Sequence, residues 1–237
     1  MNLETNLIEQ QIQEVTAEYL HRMTGGDGTL LRQVEEYATS RSGKMLRPRL
    51  LLAAYHAVTH SDKLPRRTLL LAVAVEMLHN ASLLHDDVID HDLLRRGQPS
   101  VNARWNNSIA VLVGDYHLAS IMLLLDEIDN KEISRKFIHS VRTMIEAELL
   151  QQEVADGEWT KEKYLNVIDG KTANLFALAA ELGSYGDGME GIPAFRDYGS
   201  HYGRLFQLRD DLADNEAPPF TNDLIEQEKA ILDAIKH

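Results

Sequence analysis

Residues 69–84 read LLLAVAVEMLHNASLL and run directly into His85-Asp86-Asp87-Val88-Ile89-Asp90. Apolar side chains point in nearly every direction around a helix drawn through 69–84. Such a helix belongs at the centre of a bundle. The cluster at its end has the opposite character. Asp86, Asp87 and Asp90 fall at i, i+1 and i+4, so the first and last stand about one turn apart on one face. Like charges at that spacing repel, and the cluster destabilises its own helix unless a cation sits over it. The same signature returns at Asp210-Asp211-Leu212-Ala213-Asp214. One copy alone would read as decoration of a solvated face. Two copies, each at the end of an apolar helix and facing each other across a cavity, suit hard divalent ions. Mg²⁺ fits in particular, since it takes a few carboxylates, keeps waters and leaves positions for substrate phosphates.

Outward from this segment, apolar residues recur at helical spacing and strand-type alternation is nearly absent. Leu3, Leu7, Ile8, Ile12 and Val15 line one face of an N-terminal amphipathic helix, and Gly25-Gly26-Asp27-Gly28 breaks the chain after it. A second helix is predicted over 48–58, with Pro48 tolerable at a helix start. Pro65 opens the segment that reaches Asp90. Further helices are predicted over 109–125, 134–154, 161–182 and 195–214, with a turn at Gly183-Ser184-Tyr185-Gly186. The fold class is therefore all-α: one domain over 1–237, an orthogonal or bundle-like array of about eight to ten helices.

Composition narrows the function. Hydrophobic residues make up 44% of the 237, a globular proportion, and the formal net charge is −13. That charge argues against a nucleic-acid partner, whose phosphates need a basic surface. It permits a small anionic substrate if local cations and bound metal reverse the field within a site. The absence of cysteine excludes disulfides and thiolate metal sites and fits a cytoplasmic protein. Neither a membrane span nor a signal peptide is indicated by the apolar runs.

Several residues could share a site with the first acidic cluster. His79 lies seven positions before Asp86, two turns down one stripe, while Ser82 and Ala81 lie four and five before it. Small residues beneath carboxylates describe a pocket with a polar mouth and an apolar depth. Arg95-Arg96-Gly97-Gln98-Pro99 is a loop that lets two guanidiniums turn back over the cluster, and the planar fork of arginine suits diphosphate oxygens. Gly43-Lys44-Met45-Leu46-Arg47-Pro48-Arg49 sets cations at a helix start, where backbone N–H groups also favour anions. Gly170-Lys171-Thr172 has the ending of a Walker A loop, but no strand precedes it and that reading is rejected. Gln207 lies one turn before Asp210. His56 and His60 have a zinc-compatible spacing but no third ligand, and Trp105 and Trp159 read as packing residues.

Taken in order, Lys44-x-x-Arg47-Pro48-Arg49, His79 through Asp90, Arg95-Arg96-Gly97, Gly170-Lys171-Thr172 and Phe206 through Asp211 make a specific combination. The chain resembles the trans-isoprenyl diphosphate synthases, the polyprenyl synthetase family, over about residues 40 to 214. The resemblance implies an all-α fold of the isoprenoid synthase type, a central active-site cavity and a homodimer. It implies a Mg²⁺-dependent prenyltransferase that condenses isopentenyl diphosphate with an allylic prenyl diphosphate. Asp86, Asp87, Asp90, Asp210, Asp211 and Asp214 would serve the metal, with Asp86, Asp90 and Asp210 as its first direct ligands. Arg95, Lys171, Thr172 and Gln207 would contact the allylic diphosphate, and Lys44, Arg47, His79 and Arg96 the isopentenyl diphosphate. Asp86, Asp87, Asp90, Asp210, Asp211 and Lys171 would be the catalytic set.

Members of the family with short products carry an aromatic plug where this chain has Ala81 and Ser82, so the resemblance implies a product of C20 or beyond. A floor set near Met122 or Leu125 is the competing reading. After Asp214 the chain departs from the family. No residue matches the lysine of its Gly-rich loop, and the domain is expected to be shortened or incomplete beyond residue 214, where a short helix with Lys229 and Lys236 comes next. That departure motivates a second hypothesis, a prenyl-diphosphate-binding subunit assisting a catalytic partner. A class I terpene cyclase is a third, opposed by the second set of cations, which a cyclase does not need.

Overall fold

The Pro65 break and the apolar run after it produce one long helix, and most of the other described residues are helical too. In the computed structural model the described residues are 3–23, 28–40, 43–154, 159–186, 188, 190–214 and 217–235. Four helices come first: α1 (Leu3–Met23), α2 (Leu30–Thr39), α3 (Leu46–Thr59) and α4 (Arg66–Ile89). A two-stranded antiparallel ribbon follows, β1 (Leu94–Arg95) paired with β2 (Gln98–Pro99), and then α5 (Val101–Arg104) and α6 (Asn107–Ile128). Beyond these lie α7 (Lys131–Val154), α8 (Lys161–Ile168), a π-helical turn (Asp169–Ala173), α9 (Asn174–Gly183), α10 (Pro193–Ala213) and α11 (Thr221–Ile235).

Local chemistry sets many of these boundaries. Thr29, Asn106 and Thr160 cap α2, α6 and α8 by accepting the backbone N–H of Arg32, Ile109 and Lys163, which satisfies donors a helix start leaves open. Pro193 opens α10 at a position where a missing N–H costs nothing. Pro48 falls within the first turn of α3, as its sequence position required. The predicted break at 25–27 lies outside the described residues, as do Lys236 and the side chain of Leu3. Several elements differ from expectation, among them the β1–β2 ribbon, where residues 95–99 read as a loop, and the short α5. Helix α2 has no counterpart among the predicted helices, because its apolar stripe is short and flanked by charged residues. The helix predicted over 161–182 is helical throughout but widens into the π-turn at Asp-Gly-Lys-Thr-Ala.

The chain divides into two compact units: Met1–Leu52 with Ser61–Asn130, and Ala53–His60 with Lys131–His237. In the first, α4 packs on α6 and α1, and Leu71 through Val75 are sealed from solvent. Val34, Leu84, Val101, Ala110 and Val113 form a cluster that seats α2 and α5 against this pair. In the second, α10 packs on α9 and α11, and α7 covers the π-turn. Tyr164, Ile168, Leu205, Leu208, Leu224, Ile225 and Leu232 join α8, α10 and α11 in one apolar cluster. Helix α10 approaches the π-turn closely because Gly203 has no side chain: a Cβ there would lie 2.7 Å from the Ala173 Cα.

The expectation that no apolar run is long enough to span a membrane needs correction. Both α4 and α6 are long and apolar enough to do so by length and composition. Helix α4 is a buried core helix, whereas α6 leaves Leu112, Met122 and Leu123 exposed at 62%, 70% and 70%.

Candidate active site

Helix α4 ends on carboxylates with no basic residue in its last turn, and α10 ends in the same way. Asp90 caps α4 by donating its N–H to the Asp86 carbonyl at 2.8 Å, and Asp214 caps α10 on Asp210 at 3.0 Å. A helix C-terminus carries the negative end of the macrodipole, so acids there cost about 0.3–1 kcal/mol each. Both helices thus end against their own field as well as against like-charge repulsion. That is a local conflict of the kind expected where function overrides stability.

In the first unit the three aspartates separate by environment. Asp90 is exposed and Asp86 half-buried, on the stripe that also carries His79 and Ser82 at steps of three and four. Asp87 is buried, and its Oδ1 accepts from the Arg95 guanidinium, with Nε at 2.7 Å. Arg95 also reaches Asp92 at 3.2 Å. Burial raises the Asp87 carboxyl above its ordinary range, against the pull of Arg95. Asp87 and Arg95, expected at the metal and at the allylic diphosphate, thus pair with each other here.

Arg95 and Arg96 belong to the ribbon. Arg96 at φ 52° and Gly97 at φ 74° form the tight two-residue turn that matches strand twist, and glycine is the natural residue for such a conformation. Arginine at positive φ is uncommon and strained by about 1 kcal/mol or more. Three residues that the sequence did not single out hold this turn in place. Tyr37 of α2 donates its hydroxyl to the Pro99 carbonyl at 2.7 Å, Ser100 donates to the Asp92 carbonyl at 2.7 Å, and the Asn102 amide bridges the carbonyls of Asp87 (2.9 Å) and Asp92 (3.1 Å). The Arg96 guanidinium lies over Gly43, where a Cβ would meet its Nη2 at 2.6 Å. The loop preceding α3 and the ribbon thus meet at Arg96.

Arg47, His79 and Arg96 form one electrostatic group on this side. Burial and then the Arg47 and Arg96 charges hold His79 well below the ordinary imidazole range, so its ring is neutral at pH 7. Burial also lowers Arg47 to about 10, still far above neutrality, with buried Glu76 as the opposing charge. Lys44 stands exposed three residues ahead of Arg47. Ala81 is 1% exposed and closed in by packing, while half-buried Ser82 donates its hydroxyl back to the His79 carbonyl at 2.8 Å. Beneath the ribbon a second polar group is buried: His117 bonds Glu35 at 2.7 Å and the Met77 carbonyl at 3.3 Å.

The second unit holds a matching array. Thr172 donates to Gln207 Oε1 at 2.8 Å, Gln207 donates to Asp211 Oδ1 at 2.6 Å, and the Tyr164 hydroxyl donates to the other oxygen of Asp211. Burial and Asp211 push the Tyr164 hydroxyl up, which keeps it a donor. Lys171 pairs with Glu148 at 2.6 Å and reaches Gln151 at 3.3 Å, both on α7. Asp210 and Asp214 are exposed. Asp211, like Asp87 in the first cluster, accepts hydrogen bonds from protein side chains. Tyr164 and Glu148 could not be found from sequence, since nothing local marks which aspartate a residue on another helix will meet.

Among the described residues, no three Asp, Glu, His or Cys side chains gather closely enough to hold an ion by themselves. This arrangement still fits Mg²⁺, which binds through one or two carboxylates and completes its shell with water and substrate phosphate oxygens. An all-oxygen donor set of aspartates at repelling spacing suits such a hard ion. His56 and His60 gather no further ligand among the described residues.

Two long helices ending on aspartates within an all-α chain fit an isoprenoid-synthase type of protein, and comparison with known proteins shows that it is one. The sequence model of the polyprenyl synthetase family matches residues 28–228, and the chain belongs to that family. It is 38% identical to an all-trans-nonaprenyl-diphosphate synthase (geranyl-diphosphate specific) of Rhodobacter capsulatus, covering 78% of this chain and 57% of that protein. It is 34% identical to the octaprenyl diphosphate synthase of Escherichia coli, covering 92% of this chain and 68% of that one. A polyprenyl synthase from Caulobacter crescentus, solved with calcium and isoprenyl diphosphate, superposes with a TM-score of 0.79 at 33% identity, covering 87% of this chain and 62% of that one. The chain thus spans roughly three fifths to two thirds of the length of these relatives.

Proposed function

We propose that this protein is a Mg²⁺-dependent trans-prenyltransferase that extends an allylic prenyl diphosphate with isopentenyl diphosphate. The observation that carries the reading is the pair of helices ending on carboxylates against their own dipoles, together with a separate cationic group. In this reading Asp86, Asp87, Asp90, Asp210, Asp211 and Asp214 serve Mg²⁺, and Arg95, Lys171, Thr172 and Gln207 hold the allylic diphosphate. Lys44, Arg47, His79 and Arg96 hold the isopentenyl diphosphate. Bound Mg²⁺ would neutralise negative charge growing on the departing diphosphate. Arg47 and Arg96 supply fixed positive charge to the second diphosphate, and neutral His79 can donate a hydrogen bond without a desolvation penalty for charge. Asp87 and Asp211 keep Arg95 and Gln207 in position. The apolar wall of α4 excludes water from a carbocation.

The names of the nonaprenyl and octaprenyl relatives, with small residues at 81 and 82, support a product of C20 or beyond. The exposed apolar row of α6 supports a homodimer, and a cysteine-free sequence fits the cytoplasm. Incubating the protein with isopentenyl diphosphate, Mg²⁺ and dimethylallyl, geranyl or farnesyl diphosphate tests the reading. Longer prenyl diphosphates are expected, lost on chelation. No product from any starter refutes it. Leu123→Glu should shift the sedimentation coefficient to that of a monomer, and an unchanged coefficient refutes the dimer face.

A further inference from the structure

We infer that Glu228 of α11, Arg204 of α10 and Asp169 form a positioning relay that fixes the π-turn carrying Lys171 and Thr172. The helix beyond the second acidic cluster thereby becomes part of the apparatus that binds the allylic diphosphate. This rests on the role proposed above for Lys171 and Thr172.

The relay is built from short, directional contacts. Arg204 grips Asp169 with both arms of its fork, Nε to Oδ1 at 2.7 Å and Nη2 to Oδ2 at 2.8 Å. Its remaining Nη1 donates to Glu228 Oε1 at 2.6 Å. The other oxygen of Glu228 bonds His201 Nδ1 at 2.6 Å, and since a carboxylate accepts, the ring donates. Glu228 is 3% exposed, so its charge is tolerable in the fold only because both oxygens are satisfied. These bonds raise the Arg204 guanidinium above its ordinary range.

Asp169 is the residue on which the turn depends. Its carbonyl accepts the N–H of Asn174, the i→i+5 bond that defines the wide turn. A π-turn is rare and persists where its surroundings over-determine it, commonly at functional sites. Here Gly203 brings α10 against Ala173 and the next residue, Arg204, clamps the side chain of Asp169. The widened turn lets consecutive residues reach different helices, Lys171 to Glu148 on α7 and Thr172 to Gln207 on α10. Closing it to α-helical geometry would rotate the downstream helical residues by about 100° per residue removed and part Thr172 from Gln207.

The test is steady-state kinetics on the full chain for Arg204→Lys, Arg204→Ala and Glu228→Gln, with far-UV circular dichroism as a control. Lysine keeps the charge and loses the fork. KM for the allylic diphosphate should rise by about tenfold in Arg204→Ala and less in Arg204→Lys, while KM for isopentenyl diphosphate stays within about twofold. Equal changes in both KM values, or a fall in kcat alone, overturn the relay. If the wild-type chain neither turns over nor binds magnesium diphosphate in calorimetry, the proposed function has failed. The relay is then read by hydrogen exchange. Arg204→Ala must accelerate exchange at 169–174 more than in the rest of α8 and α9, and uniform acceleration or none overturns it.

Discussion

Asp86 and Asp87 are adjacent, yet alanine at each should give opposite phenotypes. The Asp87 side chain is 5% exposed and paired with Arg95, which is 35% exposed. Removing one partner of a fully buried pair costs about 3–5 kcal/mol, chiefly because the other charge is left stranded. Arg95 retains Asp92 and partial access to water, so a loss of about 2 kcal/mol is expected for Asp87→Ala. At the size of this chain, each kcal/mol moves Tm by about 2–4 °C, giving a fall of about 4–8 °C. Asp86 is half-buried at the negative end of α4, beside two like charges. Because relief of that repulsion is offset by the lost attraction to Arg95, Asp86→Ala should change stability by no more than about 0.5 kcal/mol. Its turnover should nevertheless fall by more than about 100-fold, as expected for a group engaged in the transition state. Thermal melting followed by circular dichroism, paired with product chromatography, reads both quantities. If Asp86→Ala melts as low as Asp87→Ala, or if Asp87→Ala melts with the wild type, the division of roles is wrong.

Asn102→Ala removes the bridge between the Asp87 and Asp92 carbonyls, and should cost about 1–2 kcal/mol while raising KM for isopentenyl diphosphate; an unchanged melt and KM would show that the ribbon is held without it. His79 is depressed in the fold below the unfolded value of 6.5, so as pH falls through 6.5 the unfolded chain takes a proton the folded one refuses, and stability drops. His79→Gln should flatten the fall of Tm between about pH 7.5 and 5.5, and an equal slope in both proteins would place the acid sensitivity elsewhere. Ser82→Phe should shorten the prenyl product with the fold intact. Phenylalanine at buried Ala81 should instead cost about 1–3 kcal/mol by overpacking, so product length is to be compared at low temperature, and unchanged length in both variants moves the chain-length floor away from α4.

By itself the sequence determined the long helices, because a 3.6-residue period and its Pro, Gly and Asn punctuation act over neighbouring residues. It determined a chain break at residues 95–99 for the same reason, though not the ribbon built there, and it determined that two helices end on aspartates. Tertiary structure decided which side chains the middle aspartate of each cluster meets. Asp87 meets Arg95 across a ribbon, and Asp211 meets Tyr164 from a helix 47 residues away. Periodicity gives a residue its face but says nothing of the partner brought to that face from far along the chain. The same limit hid α2 and its Tyr37 clamp, whose partner Pro99 lies 62 residues on. It also hid the π-turn, which no local propensity demands. That turn exists because Gly203 and Arg204, both on another helix, press against it and grip Asp169.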